Sequence, residues 1–198
     1  MTKKERVLKL RELLDKAYPD VKCSLNYTTP LEMLIATQMS AQCTDARVNI
    51  ITETLFKKYR NAEDFANAEF YRNKAKNIIL CCQRLIDVYG GEVPDTMEDL
   101  TSLAGTGRKT ANLVLGDIFG KPAVVVDTHC KRIAKRIGLT TNDDPTKVEM
   151  DLKKIVPSDY QLRMCHQFVA HGRAVCTARN PKCAVCPIKE VCKSAGKC

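Results

Sequence analysis

Residues 103–109 read Leu-Ala-Gly-Thr-Gly-Arg-Lys, and this stretch predicts a tight turn that leads into a helix. Gly105 and Gly107 carry no Cβ, so they can take positive φ and can let a ligand approach the backbone closely. The amides at the start of the next helix lack acceptors within that helix and lie at its positive end. Such a turn is therefore a natural seat for a phosphate group.

Lys109 begins the helix after this turn, and Asp127 follows in the segment Val-Val-Val-Asp-Thr-His. Positive charge nearby, from the helix end and from Arg108, disfavours the protonated form of an amine. A neutral amine close to a DNA backbone is a candidate nucleophile towards a sugar carbon. On these residues alone, Lys109 could equally be a phosphate contact. Asp127 could be a helix N-cap before Thr128, which contributes about 1 kcal/mol.

A second pattern lies near the C-terminus, where four cysteines are spaced C-x6-C-x2-C-x5-C: Cys176, Cys183, Cys186 and Cys192. Four thiolates this close in sequence suit an iron–sulfur cluster or zinc. Zinc sites more often use two C-x2-C pairs separated by a longer loop, and here there is one such pair. Disulfides are a third possibility, but the eleven cysteines are an odd number and no secretory signal is evident. A reducing compartment is the better interpretation.

Basic residues outnumber acidic ones, with 32 Lys and Arg against 23 Asp and Glu, which leaves a formal net charge of +9. This surplus favours binding to a polyanion, although many basic proteins bind none. Aromatic residues are only 6% of the chain and tryptophan is absent, which argues against a surface that stacks many bases. No apolar run reaches the length of a membrane span, so no membrane partner is expected.

Helical signals run from end to end, and the predicted fold class is all-α. Apolar residues recur at helical spacing in the first segment, and Thr29-Pro30-Leu31-Glu32 is a capping box with proline at the first helical position. The stretch 124–126, three valines, has strand character but is too short to make a sheet. The predicted helices cover 4–17, 30–40, 45–59 and 72–89.

Further helices are predicted around and after the glycine turn. Helices are predicted to start at Asp95 with Glu98, at Lys109 and at Asp144-Pro145. A last helix is predicted to start at Ser158 with Gln161 and to end near residue 172. His166 and His171 lie on that helix and are interpreted as packing or surface residues, because no histidine has metal-ligand spacing with another.

These segments together resemble the endonuclease III family of helix–hairpin–helix DNA glycosylases. The resemblance lies in Leu-x-Gly-x-Gly-Arg-Lys-Thr-Ala-Asn, in Val-Asp-Thr-His, and in the spacing of the four C-terminal cysteines, which is that of the family's [4Fe–4S] loop. Ala104 is a departure, because the family usually has proline there. Proline pre-sets φ in a turn, so alanine should loosen the hairpin slightly and leave the chemistry unchanged.

The resemblance covers nearly the whole chain and implies two helical lobes with a cleft for DNA between them. Residues 21–121 would form one lobe, with the helix–hairpin–helix motif at about 95–120, and residues 1–20 with 122–198 would form the iron–sulfur lobe. A second departure is the short connection at 61–70, which leaves room for little more than one turn where the family has an additional helix.

The resemblance also implies the site residues. Lys109 would be the catalytic nucleophile and Asp127 the catalytic carboxylate, with the four cysteines binding the [4Fe–4S] cluster. Gln42 and Phe70 match positions that fill the gap left by an extruded base; on its own, Gln42 would be interpreted as a polar loop residue. Contacts to the DNA backbone are expected from Gly105, Gly107, Arg108, Arg179 and Lys182. For the last two, a solvated charged loop is the alternative.

The implied activity is that of a bifunctional base-excision repair enzyme, which removes a damaged base and cuts the strand by β-elimination through a lysine Schiff base. Its partner would be double-stranded DNA with oxidised pyrimidines or abasic sites. A monomer, at the nucleoid in the cytoplasm of a bacterium or archaeon, is expected. The alternatives are a mismatch glycosylase without lyase activity and a non-catalytic DNA-binding module.

Overall fold

A computed structural model describes residues 1–41, 43–68 and 73–197, with the side chains of 73–75 left out. No strand is present in this part of the chain, so the predicted all-α class is confirmed. None of its helices is both long and apolar enough to span a membrane. The α-helices are α1 (Lys3–Ala17), α2 (Pro30–Ser40), α3 (Asp45–Lys58), α4 (Ala62–Ala66), α5 (Asn73–Tyr89), α6 (Met97–Ser102), α7 (Arg108–Asp117), α8 (Thr128–Ile137), α9 (Pro145–Ile155) and α10 (Gln161–Ala174).

The chain divides into two compact units. The first unit comprises Met1–Lys22 and Pro122–Cys198, and the second comprises Cys23–Lys121. Each unit has its own set of packed helices: α1 and α8 to α10 belong to the first, and α2 to α7 belong to the second.

The buried helix α2 is the centre of the second unit, where it packs against α3, α5 and α7. Every residue from Met33 to Gln38 is buried. Thr29 caps this helix by accepting a hydrogen bond from the amide of Glu32, with Pro30 in the first turn. In a capping box the Glu32 carboxylate would accept from the amide of Thr29. Here it accepts instead from the amide and hydroxyl of Thr28, one residue earlier.

The helix–hairpin–helix motif consists of α6 and α7. The predicted N-cap at Asp95 is wrong, because Thr96 caps α6 by accepting from the amide of Asp99 at 3.1 Å. Asp95 instead pairs with Lys121, with 2.6 Å between Oδ2 and Nζ. Lys121 is distant in sequence from Asp95, but it pairs with the Asp95 carboxylate, so Thr96 caps the helix instead.

Two other predicted features concern the connection at 61–70 and the last helix. The connection contains the five-residue helix α4, capped by Asn61, which is the short turn expected there. The predicted start of the last helix at Ser158 is wrong. A 3₁₀ turn, Ser158–Tyr160, precedes α10, and α10 ends at Ala174, close to the expected end near residue 172.

The first unit is built on α8 and α10, which cross closely at Gly172. A Cβ on Gly172 would collide with the side chains of His129 and Arg132, so a larger residue there would displace these two side chains of α8. Asp15 of α1 accepts hydrogen bonds from Arg163 and Gln167 of α10, at 2.7 and 2.8 Å. These contacts hold α1, from the start of the chain, against the helix that leads into the cysteine loop.

Candidate active site

The hairpin begins where α6 ends, at Leu103, and closes through a hydrogen bond from the amide of Thr106 to the carbonyl of Leu103, at 3.1 Å. Gly105 has φ +76°, a conformation that favours glycine. Gly107 could also take positive φ, but it has φ −92°, which is open to other residues. A Cβ on Gly107 would meet no atom within 4 Å. The absence of a side chain there leaves the backbone open to an approaching ligand.

Helix α7 has an open N-terminus. Its N-cap is Gly107, which supplies no side-chain hydrogen bond, and the first intrahelical bond runs from the amide of Ala111 to the carbonyl of Gly107. The amides of the first turn therefore have no acceptor within the helix and lie at its positive end. The helix starts at Arg108, one residue before the predicted start.

Lys109 is exposed on the first turn of α7 and forms no ion pair with any described residue. The positive charge of Lys109 affects the pKa of the Cys23 thiol. Burial raises the pKa of the Cys23 thiol to about 11, the charges of Asp117 and Asp45 add to this shift, and the charge of Lys109 opposes it. The amine thus projects from an open helix end in a neighbourhood that also holds two carboxylates.

Asp127 is the N-cap of α8, as one of the two interpretations of the sequence held. Its Oδ1 accepts a hydrogen bond from the amide of Cys130 at 2.7 Å, and the side chain is half-buried. No described residue donates to Oδ2, so one carboxylate oxygen remains available. A capping role and a catalytic role are therefore compatible, because they use different oxygens.

A buried pair of thiols lies beneath the segment that carries Asp127, and the sequence analysis missed it. The amide of Val125 donates to Cys165 Sγ at 3.2 Å. A hydrogen bond with Cys165 and then burial raise the pKa of Cys130. Cys165 therefore anchors the loop two residues before Asp127, and no sequence spacing links the two.

The four cysteines of the C-terminal loop line a common cavity with side chains of α8 and α10. Burial raises the pKa of Cys186, and the charges of the other three cysteines raise it further, so the four thiols lie within electrostatic reach of one another. Among the described residues, no group of three or more His, Cys, Asp or Glu side chains is arranged to hold a metal ion. Four thiols that line one cavity form a soft donor set, which suits an iron–sulfur cluster or zinc.

His171 is a packing residue, one of the two roles expected for it, and it also contacts the cysteine loop. It is fully buried, and its pKa is lowered to about 4 by burial and by the nearby Arg132. The Tyr18 hydroxyl lies 3.0 Å from Nδ1, and Cys186 Sγ lies 3.6 Å from Nε2. In a neutral ring that accepts from Tyr18 at Nδ1, the proton is on Nε2, which donates to the cysteine sulfur.

Two arginines of α8 bind the start of the same loop. Arg132 donates to the carbonyl of Cys176 at 2.8 Å, and Arg136 donates to the carbonyls of Thr177 and Ala178 at 2.7 and 3.0 Å. Arg136 also donates to Cys176 Sγ at 3.3 Å. The helix capped by Asp127 is thus attached to the cysteine loop by its basic side chains.

Arg179 and Lys182 are exposed on the loop between the first two cysteines. The Thr177 hydroxyl shapes this loop by donating to the carbonyls of Arg179 and Asn180, and Asn180 has φ +53°. Gln42 and Phe70, the predicted gap-filling residues, lie outside the described residues. Gln38 of α2, which the sequence analysis did not single out, contacts the hairpin through its side-chain amide.

Comparison with known proteins identifies the family. Residues 35–158 match the model of the HhH-GPD superfamily of base excision DNA repair proteins, and residues 176–192 match the iron–sulfur binding domain of endonuclease III. The endonuclease III of Synechocystis sp. is 44% identical, over 98% of this chain and 94% of its own. The chain belongs to the endonuclease III family.

Other members of the endonuclease III family are similar over most of their length. That of Bacillus subtilis is 40% identical, over 91% of this chain and 88% of its own. A solved endonuclease III in a non-covalent complex with DNA superposes with a TM-score of 0.92 at 41% identity, covering 100% of this chain and 98% of that one. A trapped covalent endonuclease III–DNA intermediate gives 0.90 at 40% identity, with the same coverage.

A thermostable thymine-DNA glycosylase superposes with a TM-score of 0.85 at 22% identity, which shows that the fold is shared.

The matched segment 176–192 runs from the first to the fourth cysteine of the loop. The cofactor is therefore a [4Fe–4S] cluster, as predicted, with Cys176, Cys183, Cys186 and Cys192 as the four thiolates available to hold it. The family assigns the chain to the base-excision DNA repair enzymes, the DNA glycosylases with abasic-site lyase activity.

Proposed function

We propose that Lys109 and Asp127 are the catalytic residues of this DNA glycosylase and abasic-site lyase, acting on duplex DNA with oxidised pyrimidines or abasic sites. The observation that carries the proposal is the environment of Lys109. An exposed amine without an ion-pair partner among the described residues stands on the open N-terminus of α7, directly after the hairpin. The helix end attracts a phosphate, and the amine stands beside it.

In the proposed reaction, DNA is held by phosphate contacts that carry no sequence information. The damaged nucleotide leaves the base stack, because C1′ cannot be reached within it. The neutral amine of Lys109 attacks C1′ as the bond between C1′ and the base nitrogen breaks, and the departing base takes up the proton that the amine loses. Asp127 stabilises the positive charge that develops on the sugar, as carboxylates do for oxocarbenium-like centres. The C1′–O4′ bond then opens and O4′ takes a proton, which gives the lysine–sugar Schiff base. Loss of a proton from C2′ expels the 3′ phosphate by β-elimination, which breaks the strand 3′ to the lesion.

The proposed DNA contacts come from both units. Gly105, Gly107 and Arg108 would hold the backbone beside the lesion, since the hairpin there is open and the first turn of α7 presents its amides. Arg179 and Lys182 would add phosphate contacts from the cysteine loop. Gln42 and Phe70 would fill the gap left by the extruded base, a role that rests on the family resemblance alone.

The [4Fe–4S] cluster supplies a rigid cross-link of its loop, and no redox step is assigned to it. Thiolates from the start, middle and end of residues 176–192 would converge on it. Arg136 donates to Cys176 Sγ, and His171 Nε2 lies 3.6 Å from Cys186 Sγ. We propose that this arrangement presents Arg179 and Lys182 to DNA. We also propose that the two units are the two lobes expected from the sequence, and that the protein acts as a monomer at the bacterial nucleoid.

Borohydride trapping on duplex DNA with an abasic site tests the proposal. Wild-type protein should form a covalent adduct, and Lys109→Gln should form none while it keeps most of its DNA affinity, because one charge among many is lost. Lys57→Gln, on an exposed helix face where Lys57 pairs with Glu53, is the matched control and should form the adduct normally.

The rival functions predict other outcomes. Base release without an adduct in the wild type would identify a glycosylase without lyase activity. Binding with neither base release nor an adduct would identify a non-catalytic module. An adduct that persists in Lys109→Gln would show that another amine is the nucleophile. Asp127→Asn should slow base release yet still cap α8, because the amide oxygen can accept from Cys130.

A further inference from the structure

The hairpin lacks the proline that would fix its first turn, and a buried side chain from another helix contacts it instead. Position 104 is alanine, so φ is not pre-set there. Gln38, on α2, is only 9% exposed. Its Nε2 donates to the carbonyl of Ala104 at 3.2 Å and to the hydroxyl of Thr106 at 3.0 Å. Both hydrogens of one amide group are therefore used on the two residues that flank Gly105.

The same side chain limits the position of Gly105. A Cβ built on Gly105 would lie 3.1 Å from Gln38 Oε1 and 3.0 Å from Asn77 Cβ. The glycine backbone is thus packed on Gln38 from one side and on α5 from the other. Thr106 is itself 6% exposed, so its hydrogen bond with Gln38 is shielded from water. Gln38 meets the hairpin at three successive residues.

We propose that Gln38 is a positioning residue, which holds the hairpin in its DNA-binding conformation and so takes over the role that proline at position 104 would have. The proposal rests on the proposed function, in which this hairpin holds the DNA backbone and precedes Lys109. Gln38 itself touches no substrate. It acts through Ala104, Gly105 and Thr106, which set the direction in which α7 begins.

The backbone around position 104 would accept a proline, which makes the proposal testable by rescue. Leu103 has φ −77° and ψ 137°, the extended conformation that a residue before proline prefers. The amide of Ala104 donates to no described residue, so its loss would break no hydrogen bond seen there. Ala104→Pro should therefore stiffen the hairpin without the help of Gln38.

The experiment compares Gln38→Met, Ala104→Pro and the double variant in the cluster-loaded protein. Methionine matches glutamine in length and flexibility but donates no hydrogen bond. The control is Thr37→Val, at the neighbouring buried position, since the Thr37 hydroxyl donates to Met33 within α2 and to nothing in the hairpin. Two measurements are made: amide hydrogen exchange of residues 104–109 in the free protein, and the dissociation constant for abasic-site duplex DNA.

Gln38→Met should raise hairpin exchange and weaken DNA binding about tenfold, the effect of losing two ordinary hydrogen bonds on a conformational equilibrium. Adding Ala104→Pro should restore most of the slow hairpin exchange and most of the DNA affinity. Thr37→Val should leave the exchange and the affinity near the wild-type values. Unchanged exchange and affinity in Gln38→Met would overturn the inference, and so would a loss that proline fails to restore. If wild-type protein does not bind or trap abasic-site DNA, the proposed function fails instead, and the exchange data still report whether Gln38 orders the hairpin.

Discussion

At the scale of single residues, the hairpin glycines differ in what their missing Cβ permits. Gly105 has φ +76° and is packed against Gln38 and Asn77, whereas Gly107 has an ordinary φ and faces open space. The first is needed by the fold of the hairpin. The second leaves room for something outside the protein, which we propose is the DNA backbone.

Alanine substitution should separate these two roles. Gly105→Ala should destabilise the protein by about 2 kcal/mol, because a Cβ in the left-handed conformation is strained and two neighbours crowd it. Gly107→Ala should leave the free energy of unfolding nearly unchanged but weaken binding to abasic-site DNA. Urea unfolding and a binding titration measure the two effects. Equal destabilisation by both substitutions would contradict this assignment.

Cys165 supplies a second prediction at this scale. Its sulfur accepts from the buried amide of Val125, two residues before Asp127. Cys165→Ala should cost about 1–3 kcal/mol, because the buried amide loses its acceptor, and should slow base release at saturating DNA. Cys165→Ser should recover part of the stability and part of the rate of base release, since a hydroxyl can accept a hydrogen bond from the Val125 amide. Cys82→Ala, a buried thiol of the other unit, controls for the loss of a sulfur atom. No recovery in the serine variant would argue for packing alone.

At the scale of elements, α8 joins the candidate catalytic carboxylate to the cofactor loop. Its N-cap is Asp127, and its arginines bind the carbonyls of Cys176, Thr177 and Ala178. Ser194, beyond the last cysteine of the loop, donates back to the carbonyl of Arg136. The helix therefore contacts both ends of the cysteine loop.

Arg136→Lys should weaken retention of the cluster. A lysine ammonium lacks the planar fork that reaches two carbonyls and a sulfur together. Loss of the cluster's visible absorbance under a chelator should be several-fold faster than in the wild type. Lys135→Met, on the same helix, removes only an exposed ion pair with Asp143 and should have little effect. Equal rates for the two variants would show that the arginine contacts do not hold the loop.

At the scale of the whole molecule, the net charge of +9 sets how strongly DNA attracts the protein. Binding by phosphate contacts releases counterions, so affinity should fall linearly with salt on logarithmic axes. Lys182→Gln should reduce that slope by about one, as expected for the loss of one proposed phosphate contact. A dissociation constant that does not change between low and high salt would show that phosphate contacts do not dominate.

Much of the architecture follows from local patterns in the sequence. Thr29 and Asp144 cap the helices they were expected to cap, because a cap acts on amides only two or three residues away. The cysteine spacing and the glycine hairpin are likewise short-range signals, and they led to the right family. Asp95 failed as a cap because a long-range partner, Lys121, competes for its carboxylate.

Only the tertiary structure could show the contacts that make these motifs specific. Gln38 lies 66 residues in sequence from Ala104, whose carbonyl it binds, and Cys165 lies 40 residues from Val125. His171 and Cys186 are 15 residues apart in sequence. Helical periodicity predicts which face of a helix is buried, but not which polar group on another element that face will meet. The sequence by itself therefore determined the family, the helices and the cofactor. The packing decided which side chains hold the hairpin, the aspartate segment and the cysteine loop in place.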